Sequence, residues 1–400
     1  MRIAILAERM LPGSIPKIVS AEASYLSGLG HEVEVVTIME GGLPPDSYQF
    51  QEFLKGVRIR ELSRELPLGK YLSFKLPFFS FLSAYHLLGP LFAPFIIKKG
   101  EYDIIIALNP VTCLTAYMTW RRRKIPYVDY HWDPFSYIIA KVYRRRLPGV
   151  ILPPLLKLAS WFDKLVVDNS LVAITVSEDH AGQLRSLTQK KDVAIVYLGC
   201  KPVEHIPEAR GDYLLAIDRW DRGNMPHLLL DVMAKLNGGS RLFVAGFCSE
   251  EWIRESFLEA RDEKGLAGRV KWLGPVSEEV LNNLYLGARA WIHPIEETSV
   301  SMPALEAAAH GCPVIMPRGS PLFQHGVHGL FPEEGNIDQY AEFAGMMIND
   351  EHLAREMGGN AWKLAREYDW TAHAHLLTET IMKYIAVPHL AGDDSEGSSR

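Results

Sequence analysis

The 400-residue sequence predicts an α/β chain of two doubly wound parallel-sheet domains facing a cleft. Three observations carry that expectation. The length exceeds the roughly 100–200 residues of an ordinary domain, so two domains are expected. Short apolar runs alternate with helical patterns through both halves, the order that builds parallel sheets covered by helices. A polar stretch from Lys201 to Asp212, carrying Pro202 and Pro207, separates the two series and reads as a linker.

The first series opens with Ile3–Leu6, an apolar strand leading to the turn Pro12-Gly13-Ser14. The opening MRIAILAERMLPG reads as this strand and not as a signal peptide, because its apolar run is short and Glu8 interrupts it. A helix follows over about Lys17–Leu29, with Ile18, Ala21, Tyr25 and Leu29 near helical spacing and Gly30 as the stop. Val33–Thr37, Ile104–Leu108, Tyr127–Tyr130, Ala173–Val176 and Ala194–Tyr197 supply further strands. The second series runs through Tyr213–Ile217, Arg241–Ala245, Val270–Leu273, Ala290–His293 and Pro313–Met316, with helices such as Met225–Leu236 and Glu278–Gly287 between them. This divides the chain into domains 1–200 and 201–371, with a C-terminal helix at about 372–388 and a disordered tail at 391–400.

Composition excludes several classes. Hydrophobic residues are 48% and charged residues 22%, which excludes a mainly disordered, collagen-like or coiled-coil chain. The four cysteines (113, 200, 248 and 312) stand singly, so neither a zinc ribbon nor a disulfide framework is expected, and they read as core thiols in a reducing cytoplasm. Residues 1–200 carry 24 Lys/Arg against 18 Asp/Glu, while residues 201–400 are acidic. The basic half suits an anionic surface or substrate. The net charge of −6 argues against nucleic acid as a partner.

Two motifs suggest chemistry. Pro12-Gly13-Ser14 lies between a strand and a helix, where backbone N–H groups can receive a phosphate. An ordinary strand-to-helix turn is an equally good reading. It is not GxGxxG, and no acidic residue ends the second strand, which disfavours a dinucleotide oxidoreductase. The second motif is His293-Pro-Ile-Glu-Glu-Thr-Ser-Val-Ser-Met-Pro-Ala-Leu-Glu306-Ala-Ala-Ala-His-Gly-Cys-Pro-Val-Ile. A strand ends at His293, a polar loop follows, a helix begins near Pro303 with Glu306 in its first turn, and Gly311 ends it. Glu306 could also simply compensate the helix dipole.

This segment resembles the signature of GT-B glycosyltransferases of the family 4 type: Glu, seven residues, Glu, a small-residue helix, Gly and Pro-Val-Ile. The resemblance extends over about 370 residues, through Gly13-Ser14, Gly30-His-Glu-Val-Glu-Val-Val-Thr, Tyr127-Val-Asp-Tyr-His131-Trp-Asp133, Ala173-Ile-Thr-Val-Ser177-Glu, Leu215-Ala-Ile-Asp-Arg219-Trp-Asp-Arg-Gly-Asn224, Val270-Lys-Trp-Leu-Gly274, Trp291-Ile-His-Pro294 and Tyr368-Asp-Trp370. It implies two Rossmann-like domains and transfer of a sugar, with retention, from a UDP- or GDP-linked donor that enters as substrate. No cofactor and no metal are implied, and the sequence lacks a DxD motif. On this resemblance Glu306 holds the donor ribose, Arg219 its phosphates, His131 lines the sugar and acceptor pocket, and Gly13 and Ser14 present N–H groups to the leaving phosphate. His131, Arg219 and Glu297 are the implied catalytic residues. The donor loop spans Thr298, Ser299, Val300, Ser301 and Met302. From the residues alone, His131 could be a core histidine, and Arg219 could pair with Asp218 or Asp221.

Three positions depart from the pattern. Thr298 stands eight before Glu306 where the family carries Glu, with Glu297 one residue further back; Asn224 replaces a phosphate-binding lysine; Asp218 replaces a glycine. Losing a charge-assisted hydrogen bond costs about 10- to 150-fold in binding. A non-catalytic glycosyltransferase-like binding partner and a nucleotide-sugar epimerase of the same fold therefore stay open as alternatives.

Residues 76–97 carry no formal charge, but Pro77, Gly89, Pro90 and Pro94 disfavour a spanning helix. With the basic clusters Lys98–Lys99, Arg121–Lys124 and Arg144–Arg146, segments 76–99 and 141–157 read as a peripheral membrane contact. The expected setting is cytoplasmic, at the inner face of the cytoplasmic membrane, with a glycan or lipid-linked acceptor.

Overall fold

Each half of the chain winds its strands outward in two directions from a central pair. The structure, a computed structural model, describes residues 1–8, 10, 14–38, 56–65, 75–76, 79–141, 149–221, 226–236, 238–248, 250–294, 301–317 and 322–386. The expected tail lies outside the described residues.

The first half runs β1 (Arg2–Ala7), α1 (Ser14–Gly28), β2 (Glu32–Thr37), β3 (Arg58–Glu61), the hairpin β4 (Lys75–Leu76) and β5 (Phe79–Ser83), α2 (Ala84–Ile96), β6 (Ile104–Ala107), α3 (Pro110–Arg123), β7 (Tyr127–Tyr130), α4 (Phe135–Lys141), α5 (Leu152–Asn169), β8 (Val172–Thr175), α6 (Glu178–Leu187) and β9 (Val193–Ile195). The second runs β10 (Tyr213–Ile217), α7 (Leu228–Lys235), β11 (Arg241–Ala245), α8 (Glu251–Glu263), β12 (Val270–Gly274), α9 (Glu278–Gly287), β13 (Ala290–Ile292), α10 (Met302–Ala309), β14 (Val314–Ile315), β15 (Gly329–Leu330), α11 (Ile337–Asn349), α12 (Glu351–Glu367) and α13 (Trp370–Ala386).

The first sheet has the order β3-β2-β1-β6-β7-β8-β9 and the second β12-β11-β10-β13-β14-β15, and every pairing in both is parallel. The winding direction reverses between β1 and β6, and again between β10 and β13. Ligands of such sheets bind beyond the carboxyl ends of the strands at these reversals.

Most strands match the apolar runs. β3 does not, because Arg58-Ile-Arg-Glu is partly exposed at the sheet edge and carries the charge edges tolerate. Segment 76–97 is no single apolar helix: a hairpin precedes α2. Among the described residues no helix is long and apolar enough to cross a membrane.

Parallel sheets are covered on both faces. One face of the first sheet, including Ile5, Val35, Ile106 and Val128, packs on α1 and on the last helix through Trp370, Ala374, Leu377 and Ile381. The other face packs on α2, α3, α5 and α6. The chain therefore crosses back to its first domain. The helix starts at Trp370 rather than 372, because Asp369 Oδ1 accepts the Ala372 N–H at 2.7 Å. The buried His373 ring bridges the Tyr197 carbonyl (2.7 Å) and the buried Glu22 carboxylate of α1 (3.2 Å). Gly199 clears space for Trp370: a Cβ there would stand 2.5 Å from the indole.

The linker is strapped to the second domain. Val203 N–H donates to the Ala309 carbonyl, and Arg210 donates to the carbonyls of Tyr285, Leu286, Ala288 and His310, which end α9 and α10.

Truncating Trp370 to alanine removes a fully buried indole from the shared core and is expected to cost about 3–5 kcal/mol of stability, read from denaturant unfolding. A loss below about 1 kcal/mol would show that the returning helix does not hold the first domain.

Candidate active site

The strand reversal in the second sheet brings two sequence-distant residues together. Asp218 follows β10 and His293 follows the neighbouring β13. His293 Nε2 lies 2.6 Å from Asp218 Oδ2, and the Arg219 N–H donates to Asp218 Oδ1 at 2.6 Å. The carboxylate that stands in place of a glycine is thus engaged on both oxygens. Gly246, after β11, lies against the Asp218 backbone at φ +113; an added Cβ would stand 1.9 Å from the Asp218 carbonyl oxygen. The Arg219 side chain is 70% exposed and donates to Asp221 Oδ2 at 3.0 Å, the surface pairing foreseen as one alternative.

Helix α10 carries Glu306. Ser301 caps it, its hydroxyl accepting from the Ala304 N–H at 3.4 Å, and the alanine-rich face packs closely in the second core. The cap starts the helix at Met302, so Glu306 is its fifth residue and lies beyond the first turn. Dipole compensation fades there. Glu306 instead meets side chains from two other helices. Lys17 Nζ, from the first turn of α1, donates to Oε1 at 2.5 Å, and the Tyr285 hydroxyl donates to Oε2 at 3.2 Å. Lys17 also lies 3.7 Å from Glu278 Oε1 at the start of α9. Burial favours the neutral amine, but Glu306 and Glu278 outweigh it and raise the Lys17 pKa. Burial, reinforced by Glu306, raises the Tyr285 hydroxyl well above its ordinary value and keeps it a donor. Met302 packs in the first domain's core cluster, so α10 begins where the two domains meet.

His131 sits elsewhere. It follows β7 and has no exposed surface. Nδ1 is 2.5 Å from Oδ1 of Asp129, which is equally buried. Burial would lower the imidazole pKa, but Asp129 and Cys113 outweigh it and raise it well above the usual value. The pair is a buried ion pair beside α3. Cys113, on α3, completes a group whose potential ligand atoms lie within 4.8 Å of one another. Burial and Asp129 push its thiol up to about 12. Asp129 and His131 already neutralise each other, and the thiol stays protonated, so this donor set is poorly prepared for a metal ion.

Of the residues expected at the site, Ser14 begins α1, and Ser301, Met302 and Glu306 lie on or beside α10. Arg219 lies at the end of β10, and His131 stands apart in the first domain's interior. Gly13, Asn224, Glu297, Thr298, Ser299 and Val300 lie outside the described residues. Sequence reasoning missed Lys17, Tyr285, His293 and Gly246 as site residues. Gly246 had a local signal, a glycine directly after an apolar strand, and His293 opened the motif that ends in Pro-Val-Ile.

The outer face of the first domain is apolar and basic. Leu91, Phe92 and Phe95 of α2 are exposed, as are Val150, Ile151, Leu158 and Trp161 at and along α5. The Arg122 guanidinium lies 4.0 Å from the Phe95 ring centroid, and Arg123 donates to the Pro94 and Phe95 carbonyls. Lys98, Lys99 and Lys157 are exposed beside these residues in the chain. Arg144–Arg146 lie outside the described residues.

Residues 17–202 match the family described as Glycosyltransferase Family 4, and residues 213–350 match Glycosyl transferases group 1. The D-inositol 3-phosphate glycosyltransferase of Corynebacterium urealyticum is 25% identical over 245 residues, covering 56% of this chain and 58% of that protein. The protein of the same name from Mycolicibacterium smegmatis is 29% identical over 164 residues, covering 40% and 36%. The matches thus span less than two thirds of these relatives. Among solved structures, Anabaena HepE in complex with UDP and glucose has a TM-score of 0.72 at 16% identity, covering 96% of this chain and 100% of that one. Sucrose-phosphate synthase from Thermosynechococcus elongatus has a TM-score of 0.74 at 17% identity, covering 96% and 99%. These likenesses show the GT-B fold.

Replacing His131 with alanine strands the Asp129 carboxylate and is expected to cost about 3–5 kcal/mol. The Asp129→Leu/His131→Leu double variant is expected to regain part of that loss in urea unfolding. A single variant as stable as the parent would show that the two groups are not an ion pair.

Proposed function

The chain belongs to the group 1 and family 4 glycosyltransferases of GT-B fold, and from that premise we propose that it transfers a sugar, with retention and without a metal, from a UDP- or GDP-linked donor to an acceptor at a lipid surface. The observation that carries this reading is the position of Glu306. Its carboxylate lies on the helix that follows β13, where the second domain meets α1 of the first, with Tyr285 directing a hydroxyl onto it. A ribose diol donates two hydrogen bonds, and a carboxylate presents the acceptor oxygens to receive them. Arg219 is one residue beyond Asp218 at the strand reversal, and its exposed guanidinium can exchange Asp221 for the donor diphosphate. Ser14 opens α1, whose amino end favours the phosphate that leaves with the nucleoside. Gly13, Glu297 and the loop 298–300 complete the site in this reading, with Asn224 beside the phosphates as an uncharged donor.

The outer face of the first domain supports the choice of a lipid acceptor. The curated relatives are named for a phosphorylated inositol. Here exposed aromatic and aliphatic side chains stand among Lys and Arg, a combination that suits the headgroup boundary of an anionic membrane. Each basic residue near such a surface contributes about 1 kcal/mol.

In titration calorimetry, Glu306→Gln and Arg219→Ala are each expected to weaken binding of UDP or GDP by about 10- to 150-fold while the fold stays intact. Unchanged binding in both would sink the donor-site assignment. No response of the parent protein to either nucleotide would favour a non-catalytic partner.

For the membrane contact, sedimentation with phosphatidylglycerol vesicles should retain the parent protein, and Phe95→Glu/Trp161→Glu should release most of it. Equal retention of both would refute the docking face.

A further inference from the structure

Lys17 has no place in the site implied by the sequence motifs, yet it is the side chain through which the first domain touches Glu306. Its ammonium is largely buried, with the side chain 16% exposed. It lies between two carboxylates of the second domain, Glu306 at 2.5 Å and Glu278 at 3.7 Å. Two carboxylates therefore share this one ammonium. A diphosphate approaching the Glu306 carboxylate meets like charge, and the ammonium beside it is the group that can turn to meet the anion. Lys17 is the fourth residue of α1, one turn from Ser14, so it belongs to the helix end that favours anions. In the second domain the carboxylates of Asp218 and Asp221 stand beside Arg219, so a further cation from α1 serves the same anion.

We propose that Lys17 is a ligand of the donor diphosphate, contributed by the first domain: it pairs with Glu306 and Glu278 until the donor arrives, then turns to the phosphates as the ribose hydroxyls take over Glu306. This rests on the assignment of Glu306 to the donor ribose. A lysine suits the exchange because its ammonium is a compact charge on a flexible four-carbon stem that can move between partners. The exchange conserves pairing. Glu306 trades an ammonium for two hydroxyl donors, and the ammonium trades a carboxylate for phosphate oxygens. It also makes diphosphate recognition depend on both domains, since α1 supplies the cation and α10 the ribose contact.

The test is calorimetric titration of the whole chain with UDP, GDP and the matching nucleosides uridine and guanosine, for the parent, Lys17→Met and Lys17→Arg. Lys17→Met is expected to weaken binding of the recognised diphosphate about tenfold or more. Its nucleoside affinity should stay within about twofold of the parent or improve, because Glu306 is released. Lys17→Arg keeps the charge, controls for the integrity of the α1–α10 contact, and should retain most of the diphosphate affinity. Diphosphate binding by Lys17→Met as tight as the parent's, or tighter, would overturn the proposal, since Lys17 would then only compete for Glu306. Equal losses for diphosphate and nucleoside would overturn it too, as the mark of a structural role. If the parent binds no nucleoside diphosphate while remaining folded, the Glu306 assignment itself fails and this inference falls with it.

Discussion

A parallel sheet needs helices on both faces, and in the first domain one face is completed by the last helix of the chain. Trp370, Leu377 and Ile381 lie in the same core as Ile5 and Val128, so the first domain's core closes only after the second domain has been traversed. The His373 bridge to Glu22 and Tyr197 holds the returning helix in register. This constraint fixes where α12 ends and where the linker enters, and so sets the second domain against the first. The contact between α1 and α10 depends on that placement.

The charges at the domain junction are arranged in partnerships that cross element boundaries. Asp218 is met by His293 from the neighbouring strand end, and Glu306 by Lys17 from the other domain and Tyr285 from α9. A half-buried carboxylate is costly unless paired, and each of these has a donor within hydrogen-bond distance. The same rule governs His131 and Asp129 in the first domain's interior, where burial is complete and the ion pair is internal to one strand end. The two cases differ in access. The Glu306 cluster retains exposure and can exchange partners; the His131 pair has none.

The outer helices of the first domain follow a different logic. Pro90 and Pro94 interrupt the hydrogen-bonding ladder of α2, and Arg123 from α3 supplies donors to the carbonyls at its end. The guanidinium that caps one helix and the neighbouring one that stacks on Phe95 keep positive charge beside exposed apolar side chains. That juxtaposition needs two helices packed together.

Period and composition sufficed for the strands from Ile3 to Met316, the two-domain division and the small-residue helix bearing Glu306, because buried parallel strands read as uninterrupted apolar runs. The edge strand β3, the β4–β5 hairpin and the closing strand β15 were not legible, since short or half-exposed strands carry no such run. For the candidate site, Glu306 and Arg219 could be named from the sequence because each sits in a local pattern. Lys17 and His293 were not recognised as its partners, because their significance lies in contacts 289 and 75 residues distant in sequence. His131 was legible as a residue but not as an environment. The tertiary structure alone decided that its strand end turns inward onto Asp129. It also decided that the cation beside Glu306 comes from the opposite domain. Pairing, burial and access depend on which surfaces meet, and no local pattern encodes that.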